Sequence, residues 1–165
     1  MSLKDKLDQN TEALLSKIDK ITDDQFHSNP DEVTWTPAQV LEHLYRSEFG
    51  VPKLFTGETK VESDRDSETI VEKMRVQFLD INKRLKAKGV ILPGNEKRSK
   101  EELTSNFRSL REKITAMADQ YEGSEVCTSF EHPIYGYLTR EEWIHFNIYH
   151  TERHMSQIDR ILARL

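Results

Sequence analysis

Apolar residues recur every three or four positions in five stretches of the chain, which places their side chains along one face of an α-helix. The five stretches are residues 2–22, 36–55, 67–88, 99–121 and 139–165. No internal repeat, low-complexity tract or convincing strand pattern lies between them. Five amphipathic segments, each with one apolar face, predict an all-α protein built as a helical bundle.

Several of the predicted helices have recognisable ends. Three begin with a capping box, in which Ser or Thr is followed three residues later by Glu or Gln. The pairs are Thr36 and Gln39, Ser99 and Glu102, and Thr139 and Glu142. Gly50 and Pro52 weaken the end of the second helix, and Gly89 can end the third. We expect four long helices to form the bundle, with residues 67–88 as an extra crossover helical segment at one side or end.

In the third stretch, residues 67–88, apolar residues recur at helical spacing over nearly the whole length. Its apolar positions are Ile70, Met74, Phe78, Ile81 and Leu85. The spacing therefore predicts one continuous helix over residues 67–88. The short apolar run at residues 90–92 that follows is expected either to cover the core of the bundle or to join an interface with a second copy.

The chain has 165 residues, which fits a single domain over residues 1–165. The net charge is −5 with acidic and basic residues interleaved, and this argues against a nucleic-acid surface. No apolar run approaches the roughly 20 residues of a membrane span, and the first ten residues do not resemble a signal peptide. The one cysteine, Cys127, is interpreted as inert and consistent with a reducing compartment. We therefore expect a cytoplasmic protein.

Two histidines interrupt the apolar stripe of the last helix. His150 and His154 are four residues apart, so their imidazoles lie one turn apart on the same face. Two nitrogen ligands in this arrangement can share one metal ion. The alternative is a coincidental spacing, with buried histidines that bond to neighbouring groups. His145 lies about 160° from this stripe and is expected to face solvent.

A third ligand on another helix would complete an open metal site. His43 is the best candidate, because it lies in the second helix at the edge of an apolar face. The alternative is a histidine at the edge of the core, bonded to a carbonyl group. His27 and His132 lie in predicted loops and fit less well.

Two blocks of sequence resemble the DinB-like superfamily of metal-binding four-helix bundles, which is related to the bacillithiol S-transferases. WTPAQVLEHLYRSE at residues 35–48 resembles the second-helix motif of that family. HPIYG at 132–136, LTREEW at 138–143 and HTERHMSQ at 150–157 resemble the region of its last helix. The resemblance covers nearly the whole chain, although the first helix and residues 56–97 add little to it.

The resemblance implies a four-helix bundle in up-down-down-up order and a homodimer. It also implies a divalent metal held by one histidine of the second helix and two of the last, which here are His43, His150 and His154. We expect zinc, with nickel, iron and copper as alternatives. Three neutral imidazoles would leave the ion positively charged and one coordination position open, so that a bound water or thiol could become a nucleophile.

Polar residues near the three histidines are candidates for orienting the imidazoles. They are Ser47, Asn147 and Gln157, and ordinary hydrogen bonding between helices is an equal alternative for them. Glu48 and Arg153 either form an ion pair between two helices or are both partly solvated. Trp35 either lines the mouth of a pocket or packs as a hydrophobic staple before a helix.

Two functions follow from this pattern. One is a metal-dependent enzyme that activates a thiol or water for S-transfer to, or hydrolysis of, a small molecule, with a low-molecular-weight thiol as one candidate substrate. The other is a non-catalytic module in a stress response that binds a metal or small ligand or serves in dimerisation. Neither function involves nucleic acid or a membrane.

Overall fold

The computed structural model describes residues 1–165, and its secondary structure is almost entirely helical. In chain order the elements are α1 (Leu3–Asp19), α2 (Asp23–Phe26), α3 (Pro37–Glu48), α4 (Val51–Thr56), β1 (Thr59–Lys60), α5 (Ser67–Leu79), a 3₁₀ helix (Gly89–Ile91), α6 (Lys100–Gln120), β2 (Val126–Cys127) and α7 (Arg140–Leu162). The all-α prediction is therefore confirmed. No helix is both long enough and apolar enough to cross a membrane.

Two of the three predicted capping boxes are complete. At the start of α7, the Thr139 hydroxyl accepts a hydrogen bond from the backbone N–H of Glu142, and the Glu142 carboxylate accepts one from the backbone N–H of Thr139. Thr36 begins α3 in the same way. At α6, Ser99 accepts from the Glu102 N–H, but the Glu102 side chain pairs with Arg98 instead of returning to the cap. The predicted box at Ser99 is thus only half formed.

Helices α1, α3, α6 and α7 form the bundle, and cross-helix pairs establish their directions. Lys4 near the start of α1 pairs with Asp119 near the end of α6, so these two helices are antiparallel. Lys17 near the end of α1 pairs with Asp159 near the end of α7, so these two are parallel.

The direction of α3 follows from two pairs with α6. Glu42 lies near Arg98, which precedes α6, and Glu48 further along α3 pairs with Arg111 in the middle of α6. Helices α3 and α6 are therefore parallel to each other and opposite to α1 and α7. The up-down-down-up order of the bundle is confirmed.

The core consists of two apolar clusters separated by a layer of polar side chains. One cluster includes Leu7, Ile114 and Ile148, and the other includes Leu14 and Phe107. The side chains of the layer between the two clusters are polar and buried. They are Asn10, Thr11, His43, Glu48, Arg111, Asn147, His150, Thr151 and His154. We call this set the polar layer, and all four bundle helices contribute to it.

The prediction of a helix over residues 67–88 is wrong beyond Leu79. Helix α5 ends there, and Ile81 and Leu85 are exposed. Asp80 turns into an extended conformation and its carboxylate accepts a hydrogen bond from the N–H of Asn82. Arg153 of α7 occupies carbonyl oxygens at the end of α5, so these groups are satisfied without another helical turn.

Smaller differences occur elsewhere along the chain. The first predicted helix ends at Asp19, and the short α2, capped by Thr22, follows it where a loop was expected. The second predicted helix splits at Gly50 into α3 and α4. The expectation of no strand is also wrong, because β1 and β2 form an antiparallel pair with Thr59 opposite Cys127. Strands of two residues are too short to produce an alternating pattern in the sequence.

Candidate metal centre

His43 of α3 meets His150 and His154 of α7 inside the bundle. The Nε2 atom of His150 lies 3.1 Å from Nε2 of His43 and 3.0 Å from Nε2 of His154. The donor atoms of the three histidines all lie within 4.8 Å of one another. The three side chains are almost completely buried. The structure thus brings together all three histidines that the sequence and the family resemblance single out.

Hydrogen bonds on the far side of two rings determine where their lone pairs point. Nδ1 of His43 donates to the backbone carbonyl oxygen of Ile91 at 2.7 Å, and Nδ1 of His154 donates to Oε1 of Gln157 at 2.6 Å. Because the proton of each neutral ring is then on Nδ1, Nε2 carries a lone pair directed at His150. His150 can donate its own Nε2 proton to only one of them. A cation would satisfy all three nitrogens together.

Burial keeps these imidazoles neutral. It lowers the pKa of His43, lowers that of His150 well below its usual value, and lowers that of His154 to about 3. The neighbouring imidazoles add to the lowering at His150 and His154. Neutral imidazole is the form that binds a metal ion.

The donor set fits a divalent metal ion in an open site. Ligands held about 2.0–2.1 Å from a tetrahedral zinc ion lie about 3.3 Å apart. The two separations from Nε2 of His150, 3.1 and 3.0 Å, are close to this value. The cluster contains three histidines and no cysteine or carboxylate. Three protein ligands are typical of a centre that leaves one position for water or substrate.

Aromatic side chains lie against two of the three imidazoles, those of His43 and His150. The ring of Trp35 lies 5.1 Å from that of His43, and the rings of Phe78 and Phe146 lie 5.6 Å and 5.3 Å from that of His150. The ring of Phe146 is nearly parallel to that of His150, with an angle of 23° between the planes. These apolar walls lower the local dielectric and strengthen any electrostatic interaction at the centre.

A segment outside the bundle, residues 80–92, is fastened to the helices beside the three histidines. We call it the covering segment. Arg153, next to His154, donates to the backbone carbonyl oxygens of Phe78, Asp80 and Lys83.

The other end of the covering segment is held by α3. Arg46 donates to the carbonyl oxygen of Leu92 at 2.8 Å, one residue beyond the Ile91 carbonyl that accepts from His43. Both attachments involve main-chain oxygens, and both arise from helices that carry the histidines. The covering segment is therefore tied to the same two helices as the candidate centre.

The three residues predicted to orient the imidazoles differ in what they contact. Gln157 bonds directly to His154. Ser47 donates to the carbonyl oxygen of His43, so its hydroxyl is engaged with its own helix and not with an imidazole. Asn147 is fully buried and its side-chain amide has no hydrogen-bond partner, as is also true of Nδ1 of His150 one turn away. Of these three residues, only Gln157 contacts an imidazole nitrogen.

The remaining histidines lie outside the cluster. His132 is buried, its Nδ1 accepts from the backbone N–H groups of Ile134 and Tyr135, and burial lowers its pKa to about 4. His145 is half-buried and stacks on Tyr149, so the expectation that it faces solvent is only partly correct.

The most extensive buried polar contact near the centre was not predicted from the sequence. The expected alternatives for Glu48 are both wrong: it is fully buried and bonds to Arg111 of α6 at 2.5 and 2.6 Å, whereas Arg153 binds main-chain carbonyls. A signal was present in the pattern, since Arg111 is four residues after Phe107 and three before Ile114 on a buried face. A charged side chain on a buried face of a helix needs a buried partner that pairs with it.

Cys127 is buried, and burial raises the pKa of its thiol. This agrees with the interpretation of an inert residue, since the thiolate is the reactive form.

The fold and the site together define a class of protein, an up-down-down-up four-helix bundle with a buried three-histidine cluster shared by its second and last long helices. The model of the DinB superfamily matches residues 6–158, and the chain belongs to this family.

Two proteins of Bacillus subtilis are similar over most of the chain. YuaE of strain 168, an uncharacterized protein, is 24% identical over 150 residues, which cover 91% of each chain. The solved structure of YfiT has a TM-score of 0.60 and 17% identity, and the similarity covers 98% of this chain and 86% of that one. YfiT was described as "a probable metal-dependent hydrolase with an unusual four-helix bundle topology". At this identity the likeness concerns the fold.

Proposed function

We propose that this protein is a metal-dependent enzyme that activates a water molecule or a thiol at a divalent ion held by His43, His150 and His154. The observation that carries the proposal is the convergence of lone pairs at a point with three protein donors and no fourth. We propose zinc as the ion, because it accepts three imidazoles and an open position in catalytic sites.

The bound ion would supply positive charge that lowers the pKa of a coordinated water or thiol toward neutrality. The protein's part is to hold the ligands and keep the charge uncompensated. Ile91 and Gln157 fix the rings of His43 and His154. No carboxylate belongs to the cluster, so nothing there neutralises the ion.

Hydrolysis and thiol transfer differ in which nucleophile the centre takes up. The description of YfiT as a hydrolase favours water. The resemblance to a superfamily related to the bacillithiol S-transferases favours a low-molecular-weight thiol. Both reactions would act on a small molecule, since the centre lies inside the bundle beside Trp35 and Phe78.

The test compares wild type with His150→Ala and a matched control, His145→Ala, on the same helix. Each is stripped with a chelator, reloaded with zinc, and assayed for ester hydrolysis and for thiol conjugation to an electrophilic probe. Wild type and His145→Ala should bind one ion per chain and accelerate one of the reactions, whereas His150→Ala should do neither. Equal rates in stripped, reloaded and His150→Ala protein would refute the proposal.

A non-catalytic module is the second candidate, because the three imidazoles are almost completely buried and the covering segment lies beside them. Such a module would bind zinc with one ion per chain and accelerate neither reaction. The same measurements therefore separate the two functions.

We also propose a cytoplasmic homodimer. Val90 and Leu92 of the covering segment expose 86% and 42% of their surface, and such apolar residues can join an interface between copies. Light scattering at micromolar concentration should give about twice the 19.4 kDa chain mass. A monomer mass would refute this part, and a Val90→Glu variant should dissociate the dimer if the covering segment forms the interface.

A further inference from the structure

The guanidinium of Arg111 connects all four helices of the bundle. It projects from α6 and is 1% exposed. On α1 it donates to Asn10 Oδ1 at 3.0 Å and to Thr11 Oγ1 at 3.1 Å. On α3 it donates to both carboxylate oxygens of Glu48, at 2.5 and 2.6 Å. On α7 it donates to Thr151 Oγ1 at 2.7 Å and to the Asn147 carbonyl oxygen at 3.4 Å. A planar guanidinium has five N–H groups in fixed directions, so this set of bonds restricts the distances between the helices.

On α3 and α7, the residues that bond to Arg111 lie within five positions of a metal-ligating histidine in the sequence. Glu48 is five residues after His43 on α3. Thr151 directly follows His150 on α7, and Asn147 lies three residues before His150. Arg111 therefore joins the two helices that must approach each other for the imidazoles to meet.

A contribution to stability alone does not account for a buried ion pair of this kind. Removing two charges from water costs several kcal/mol per ion, and well-packed apolar replacements are often neutral or stabilising. In some proteins such a pair instead fixes one particular arrangement of elements. Metal ligation needs such an arrangement, because ligand distances must hold within about 0.2 Å.

We infer that Arg111 is a positioning residue of the three-histidine centre, which sets the separation of α3 and α7 through Glu48 and Thr151. This inference rests on the proposed metal centre but not on which reaction it catalyses. Arg111 acts through the backbones of the two helices, and none of the three histidine donor atoms bonds to it.

The main test replaces both charges together, because removing one would leave the other buried and unpaired. The variant Glu48→Leu/Arg111→Met keeps similar volumes. Zinc affinity is measured by competition with a chromophoric chelator, and geometry by the visible absorption of the Co²⁺-loaded protein. We expect zinc affinity to fall by about ten-fold or more and the Co²⁺ bands to shift, while circular dichroism and the melting temperature show a folded chain.

A second, gentler pair of variants covers the case in which the double variant does not fold. Thr151→Val removes the side-chain bond between Arg111 and α7 with little change in shape. Its matched control is Thr115→Val, which removes a buried hydroxyl of α6 that donates to Asp8 of α1 and makes no hydrogen bond to α3 or α7. Thr151→Val should weaken zinc binding by several-fold and alter the Co²⁺ spectrum, and Thr115→Val should change neither.

The outcomes separate this inference from the proposed function. If wild type binds no zinc or cobalt, the metal centre and the positioning role fail together. If wild type binds metal, and the folded double variant and Thr151→Val bind it with unchanged affinity and spectrum, the positioning role alone is overturned. A lower melting temperature with unchanged Co²⁺ bands would likewise show that Arg111 has only a structural role.

Discussion

The imidazole of His43 is bound through Nδ1 to the backbone carbonyl oxygen of Ile91 at 2.7 Å, although the two residues are 48 positions apart. One member of the histidine cluster is therefore oriented by a segment outside the bundle. The covering segment is in turn fastened by Arg153, the neighbour of His154. The attachment of the covering segment and the geometry of the centre are therefore physically linked.

Arg153→Met should loosen the covering segment while leaving the bundle folded. The variant keeps an apolar stem but loses the donors to the carbonyl oxygens of residues 78, 80 and 83. Backbone amides of residues 80–92 should exchange with deuterium faster, and trypsin should cleave faster at the basic residues between 83 and 88. The control is Arg75→Met, which removes an exposed pair within α5. Unchanged exchange in Arg153→Met would show that other contacts hold the segment.

Metal binding should stabilise the folded chain by mass action. At a free zinc concentration one hundred times the Kd, the free energy of unfolding should rise by about 2.7 kcal/mol. For a chain of this size, that corresponds to an increase in Tm of about 5–11 °C, measured by calorimetry with and without chelator. His43→Ala should abolish the increase, and a wild-type Tm that does not respond to zinc would contradict the prediction.

The metal-free protein should lose stability as the pH falls from 6.5. Burial lowers the pKa of His154 to about 3 and that of His132 to about 4, so the folded state keeps these rings neutral where the unfolded chain takes up protons. The unfolded state then binds more protons, and the free energy of unfolding decreases on acidification by up to about 1.4 kcal/mol per pH unit for each histidine. Urea unfolding at pH 7.5, 6.5, 5.5 and 5.0 measures this slope.

A variant isolates the share of one histidine in that slope. His154→Gln removes one titrating group, so its stability should depend less steeply on pH between 6.5 and 5.0 than that of wild type. Identical slopes would mean that His154 is already accessible to protons in the folded protein. Above pH 6.5 the free energy of unfolding should vary with pH in the same way for both proteins, because the histidines of the unfolded state are neutral there.

Thr139→Ala should destabilise α7 at its start. Thr139 is buried and its hydroxyl caps the helix that carries two of the histidines. Loss of such a cap reduces the free energy of unfolding by about 1 kcal/mol, whereas Thr139→Ser should keep most of it. Zinc stoichiometry should stay unchanged in both variants, since His150 lies three turns away. Equal stability of the alanine and serine variants would show that the capping hydroxyl contributes little.

The helices were predictable because their signals are local. Apolar periodicity and capping residues lie within a few positions of one another, so α1, α3, α6 and α7 and their starts followed from the sequence. The failure at Ile81 and Leu85 has a non-local cause. Their spacing continues the helical stripe, but Arg153, about 70 residues later, captures the carbonyl oxygens at the end of α5.

The candidate site was only partly predictable for the same reason. The spacing of His150 and His154 places them on one face, whereas the sequence alone slightly favoured His43 as a histidine at the edge of the core, until the family resemblance was considered. The partner of His43 is a main-chain oxygen at Ile91, which no side-chain pattern indicates. The pairing of Glu48 with Arg111 joins two helices whose relative rotation the sequence does not specify.

The attachments of the covering segment described above all end on main-chain oxygens, those of residues 80, 83, 91 and 92. Every amino acid supplies such an oxygen, so substitutions along the segment leave the acceptors in place provided that the backbone keeps its course. Substitutions on the outer surface beside the histidines can therefore change its size, charge and polarity without removing the carbonyl oxygen that orients His43.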